Sequence, residues 1–93
     1  MNNQEIAAIF DDIAQRLLAK KENIFKIRAY QKVARAIESL PVPVEQLVRE
    51  NRISEIPGAG EAITKKLTEL VNTGRLEYYE KLKSESPQPS PQK

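Results

Sequence analysis

The stretch Glu55–Leu70, EIPGAGEAITKKLTEL, sets a proline and two glycines directly before a run of residues with helical spacing. Glycine has no Cβ, so Gly58 and Gly60 are free to take positive φ and to let a foreign group reach the backbone on either side of Ala59. Amide N–H groups at such a turn, followed at once by a helix N-terminus, form an anion site, and phosphate is the anion that fits. The same residues also suit a plain corner, because many glycine-containing helix–helix turns bind nothing. Ile53 and Ile56 are placed to pin both sides of the turn to a core.

Downstream, a helix opening at Glu61 puts Ile63, Leu67, Leu70 and Val71 on one face. Thr73-Gly74 ends it, the glycine suiting a left-handed C-cap. A short last helix follows, with Leu76, Tyr79 and Leu82 as its contacts. The closing SESPQPSPQK has no apolar residue and three prolines. That is too little apolar surface to offset the entropy of ordering, so residues 85–93 are expected to form a disordered tail behind a folded domain of residues 1–84. The prolines are two apart, unlike a PxxP ligand.

Upstream, Ile6, Ile9, Phe10, Ile13, Leu17 and Leu18 recur at helical spacing over Glu5–Ala19, with Asn2 or Asn3 as the N-cap. Asn23 caps a second helix whose apolar face is Ile27, Tyr30, Ala34 and Ile37, and whose opposite face carries Arg28, Lys32 and Arg35. Pro41 breaks that helix. Pro43 suits the first turn of a short third one bearing Val44, Leu47 and Val48. No useful strand alternation appears, and the expected fold is all-α, a small bundle of four to five short helices.

Composition narrows the function. A chain of 93 residues allows one domain with a modest core. It has no Cys and no His, which removes disulfides, thiolate metal sites and the commonest general base. No membrane span or secretory leader is apparent, so the expected address is cytoplasmic, associated with the nucleoid. Net charge is only +2, yet Lys20, Lys21, Lys26, Arg28, Lys32 and Arg35 face the single acid Glu22 between residues 20 and 35. Such a run is either a solvated helix face or an electrostatic footprint for nucleic acid.

An apolar residue, Pro-Gly-x-Gly and then a helix with Ile63 and Leu67 resembles the helix-hairpin-helix motif of DNA-repair proteins. IFKIRAYQKVARAIESLP, the hairpin and TGRLEYYEKL together resemble the N-terminal domain of family X DNA polymerases, over about Glu5 to Lys83. The resemblance implies a helical module that grips the 5′-phosphate side of gapped or nicked DNA. It implies contacts through the hairpin at Gly58, Ala59 and Gly60, with Lys26, Tyr30 and Lys66 alongside, and the charges of Arg28, Lys32, Arg35 and Lys65 are expected to add to the same DNA-binding surface. It also implies a monovalent cation, Na+ or K+, on the carbonyls of Ser54, Ile56 and Ala59, with no cofactor otherwise required. The expected partners are DNA, other repair proteins or a polymerase domain, with no membrane, and the expected state is a monomer. The polymerase's catalytic carboxylates are expected beyond Lys93, so the chain is read either as a free-standing module or as part of a longer enzyme.

Some members of that family remove the abasic sugar-phosphate through a lysine Schiff base, and Lys66 falls on that position. With Ile63 as the centre of the buried face, Lys66 lies about 60° from it and Lys65 near the opposite side, at roughly 100° per residue. Lys66 is then at the boundary, where partial desolvation and a neighbouring cation, Lys65 among them, would lower its pKa. Lys65, four residues after Glu61, reads as an exposed ion pair. Tyr30 reads mainly as core, its hydroxyl near the pocket. Where the lyase pattern has lysines this chain has Ser54, Ala62 and Tyr78, and Phe25 replaces a histidine, which weakens the phosphate grip. Three readings follow: a DNA-binding module, a lyase acting through Lys66, and a helical protein-interaction module.

Overall fold

The computed structural model describes residues 1–85, and among these there are five α-helices and no strand. They are α1 (Asn3–Ala19), α2 (Ile24–Glu38), α3 (Val44–Arg49), α4 (Glu61–Thr73) and α5 (Glu77–Glu85), with one 3-10 turn at Ile53–Glu55 before the glycine turn.

Local capping sets most boundaries. Asn2 accepts the Glu5 N–H at 2.8 Å while the Glu5 carboxylate accepts the Asn2 N–H at 2.8 Å, a reciprocal box that starts α1. Asn23 accepts the Phe25 N–H at 2.7 Å and starts α2. Between them Lys21 takes φ +60°, and the N–H groups of Glu22 and Lys21 return to the carbonyls of Leu17 and Leu18 at 3.0 Å each. That double return stops α1 and folds α2 back along it. The α1–α2 contact is the most extensive in the fold.

Ile6, Ala7, Phe10, Ile13, Ala14 and Leu17 of α1 meet Ile27, Tyr30, Val33, Ala34 and Ile37 of α2 in one core. Leu18, expected in the same stripe, is instead 50% exposed, because one residue beyond Leu17 turns it about 100° round the helix, out of the core. Ile9 and Val71 are half-buried at the core's edge. Pro43 does not enter the first turn of α3. It is the extended cap residue, with φ −66° and ψ 144°, and Val44 begins the helix. The Asn3 amide ties the starts of α1 and α3 together, donating to the Val42 carbonyl and accepting the Val44 N–H, both at 2.9 Å.

Gly74, at φ +79°, ends α4 with its N–H on the Leu70 carbonyl at 2.8 Å. The Glu69 carboxylate then accepts the Glu77 N–H at 2.9 Å and orients α5. Leu76 and Leu82 are buried, the Tyr79 hydroxyl donates to Asp12 at 2.6 Å, and Lys20 pairs with Glu85 at 2.7 Å, which docks α5 on α1. Burial alone would raise the Asp12 carboxyl, but hydrogen bonds from Tyr79 and Arg16 outweigh it and hold the group below the usual carboxylate range. Helix α5 includes Glu85, the first residue of the expected tail; the rest of that tail, residues 86–93, lies outside the described residues. Every buried side chain among the described residues is aliphatic or aromatic, and none is charged. None of the helices is long and apolar enough to cross a membrane.

Candidate nucleic-acid interface

Ile53 and Ile56 are buried and anchor the hairpin as expected. The Ala59 N–H reaches the Ile56 carbonyl at 3.0 Å across Pro57 and Gly58, and Gly58 has φ +89°. This is the signature of a type II turn, which demands positive φ at its third residue. Gly58 also lies on α2: a Cβ there would stand 3.2 Å from Cγ and Cδ of Lys32 and 3.3 Å from Cγ2 of Val33. The hairpin therefore rests against the aliphatic stem of a basic-stripe residue, and the two candidate surfaces are contiguous at Lys32.

Gly60 differs from expectation. Its φ is −78° and ψ −173°, ordinary extended backbone, because it serves as the N-cap of α4 and its carbonyl accepts the Thr64 N–H at 2.8 Å. Its own N–H is taken by the Gly58 carbonyl at 3.1 Å. Between Gly58 and Ile63, the N–H groups of Gly58, Glu61, Ala62 and Ile63 have no partner among the described residues, since a glycine cap offers no side-chain acceptor. The anion-facing donors are thus Gly58 and the first turn of α4 rather than Gly58 and Gly60. Of the carbonyls expected to hold a cation, Ile56 accepts from Ala59, while those of Ser54 and Ala59 accept nothing among the described residues.

Lys26, Arg28, Lys32 and Arg35 are all exposed on α2, and none makes an ion pair among the described residues. Tyr30 is buried, its ring against Phe10 at 5.8 Å between centroids, and burial raises its hydroxyl far above the ordinary range with Tyr78 adding to the effect. Lys65 is exposed and sits 3.8 Å from Glu61, as the spacing implies. Phe25, Ser54 and Ala62 are exposed as well.

Lys66 is half-buried, and its Nζ lies 4.6 Å from the centroid of the Tyr78 ring. Partial burial first, and the charge of Lys26 second, push its ammonium below the usual lysine range, with Glu69 opposing. The neighbouring cation is therefore Lys26 of α2, not Lys65, which is exposed beside Glu61. Tyr78 brings this about: it stacks on Tyr30 at 6.2 Å and 12°, and Lys26 Nζ lies 5.6 Å from its centroid. Sequence spacing holds no signal for this grouping, which draws on α2, α4 and α5. Lys65, Lys66, Glu69, Glu77, Tyr78 and Lys81 line an open depression of about 420 Å³ there.

Two short helices joined through an isoleucine-pinned Pro-Gly-Ala-Gly turn, with the second helix's first N–H groups open, are what a helix-hairpin-helix consists of. The family model for the helix-hairpin-helix domain matches residues 1–76. The chain belongs to that family. Helix-hairpin-helix domains are commonly DNA-binding, which agrees with the charge and hydrogen-bonding state of this one. The match covers α1 to α4 with the hairpin and stops before α5, so the domain extends well beyond the motif itself. No curated protein matches the chain significantly.

Proposed function

We propose that this helix-hairpin-helix domain is a DNA-binding module without sequence preference, directed at the phosphate backbone and above all at 5′-phosphate ends in gaps or nicks. The observation that carries the reading is the open amide row of Gly58, Glu61, Ala62 and Ile63 beside unpaired cations on α2. Phosphates carry no base identity, so such a surface reads structure rather than sequence. The unpaired carbonyls of Ser54 and Ala59, with that of Ile56, suit the oxygen-only preference of a hard cation such as Na+ or K+, which would bridge hairpin and phosphate. The likeness to family X polymerase N-terminal domains extends the reading to DNA repair, as a free module or as the gripping part of a longer polymerase, and to a location with the nucleoid.

The test compares intact duplex, nicked duplex and a one-nucleotide gap bearing a 5′-phosphate at two salt concentrations. The gapped DNA should bind tightest, and log affinity should fall with log salt at roughly 0.7–0.9 per phosphate contacted. Absence of binding at low salt, or dependence on base sequence, refutes it.

A second reading rests on Lys66. Its lowered pKa leaves more free amine at neutral pH than a surface lysine has, and a free amine attacks the C1′ aldehyde of an abasic sugar, losing water to give an imine. Loss of the C2′ proton then breaks the C3′–O bond and releases the phosphate-terminated strand. Borohydride trapping on a 5′-deoxyribose-phosphate substrate separates the cases: an adduct lost in Lys66→Ala and kept in Lys65→Ala supports the lyase, and no adduct in the parent leaves a binding module.

A further inference from the structure

Two lysines from different helices approach one aromatic ring. Lys66 Nζ of α4 and Lys26 Nζ of α2 lie 4.6 and 5.6 Å from the Tyr78 centroid, inside the roughly 6 Å reach of a cation–π contact. That ring is fixed from behind. Phe10, Tyr30 and Tyr78 form a column from the core to the surface, with centroid steps of 5.8 and 6.2 Å. Neither lysine makes an ion pair among the described residues, although Glu22, Glu69, Glu77 and Glu85 lie around the two depressions that flank Tyr78, with Lys20, which pairs with Glu85, and with Lys65 and Lys81. Two like charges gathered without an ion-pair contact to either repel each other and ordinarily swing apart into water. A π-face attracts both, and it leaves their N–H donors free.

We infer that Tyr78 is a positioning residue, whose ring gathers Lys26 and Lys66 into one paired cationic seat for an anion without neutralising either. A carboxylate in the same place would hold the lysines equally well, but it would repel the incoming anion. The ring supplies the attraction and leaves the net charge of the seat intact. That the anion is a DNA phosphate rests on the function proposed above; the positioning itself does not.

The test uses Tyr78→Phe, which keeps the ring, and Tyr78→Leu, which removes it. In the free protein, ring current should place the ε-methylene protons of Lys26 and Lys66 upfield of the other lysines. The displacement should persist in Tyr78→Phe and vanish in Tyr78→Leu while far-UV circular dichroism stays helical. Affinity for the 5′-phosphorylated gapped duplex should stay within about twofold for Phe and fall on the order of three- to tenfold for Leu. Ordinary lysine shifts in the parent overturn the inference, and that spectrum decides the matter even if Tyr78→Leu does not fold. Equal affinity of folded Leu and Phe variants overturns it too. A parent with displaced lysines that binds no DNA refutes the proposed function and leaves the inference standing, provided that inorganic phosphate perturbs the same two side chains; if phosphate leaves them unmoved, the seat is refuted.

Discussion

Substituting alanine at the two hairpin glycines should separate folding from DNA binding, because the two positions differ in backbone and in surroundings. At Gly58, φ is +89° and a new Cβ would meet Lys32 and Val33 at 3.2–3.3 Å. The left-handed conformation alone costs an L-residue roughly 1–2 kcal/mol. For a domain of this size that corresponds to a Tm lower by about 4–15 °C. At Gly60, φ is −78° and a new Cβ has nothing within 4 Å. Alanine is a poorer N-cap than glycine, but it also has fewer unfolded conformations to lose, and the two effects, each a few tenths to about 1 kcal/mol, oppose each other. Gly60→Ala should therefore keep the parent Tm within about 3 °C. Its methyl group would nevertheless stand next to the Glu61 N–H, on the approach to the open first turn of α4. Losing one charge-assisted backbone contact there, about 1.5–3 kcal/mol, should weaken DNA binding roughly 10- to 100-fold. Thermal denaturation and fluorescence anisotropy with a gapped duplex at low salt measure the two quantities. If Gly60→Ala binds as well as the parent, the hairpin does not receive the phosphate, and if Gly58→Ala keeps the parent Tm, the strain argument fails.

Three further outcomes follow from the same geometry. Lys21→Gly should stabilise the fold by about 0.5–1 kcal/mol in urea denaturation, since Lys21 occupies a left-handed position at φ +60° that glycine takes without strain. Tyr79→Phe should lower stability at neutral pH by about 1 kcal/mol, the low end for a bond to a charged group because the Asp12 side chain is 37% exposed. Asp12 has a folded pKa below its unfolded one, so its contribution is present above about pH 4 and is lost as pH falls through the folded value; Tyr79→Phe should flatten that part of the acid limb. Lys26→Ala should move the Lys66 pKa back toward the ordinary lysine range, and 15N-detected titration should show the rise, with no rise in Lys65→Ala.

Helix starts and stops were legible wherever one residue decides them. Asn2, Asn23 and Gly74 cap as their side chains or lack of one require, and Ile53 and Ile56 announce the hairpin's anchors. The all-helical bundle followed from these together with the 3.6-residue apolar period. Gly60 was misread because a glycine's freedom to adopt positive φ does not oblige it to, and here the first hydrogen bond of α4 sets its conformation. The partner of Lys66 was misread because spacing along α4 points to Lys65, whereas the packing of Tyr78 against Tyr30 brings in Lys26 from forty residues away, a choice made by tertiary contacts alone. Leu18 shows the limit of counting apolar residues in a stripe when two are adjacent.

The uncharged interior separates two kinds of change that a protein family can accumulate. Phe25, Ser54 and Ala62 are exposed and Tyr78 is only half-buried, so all four departures from the lyase pattern lie outside the fully buried set. Substitution at the three exposed positions costs the scaffold little, typically within about 0.5 kcal/mol. Descendants of one bundle can then exchange the residues on its exposed face without passing through an unfolded ancestor, and a binding surface can drift while the architecture stays put.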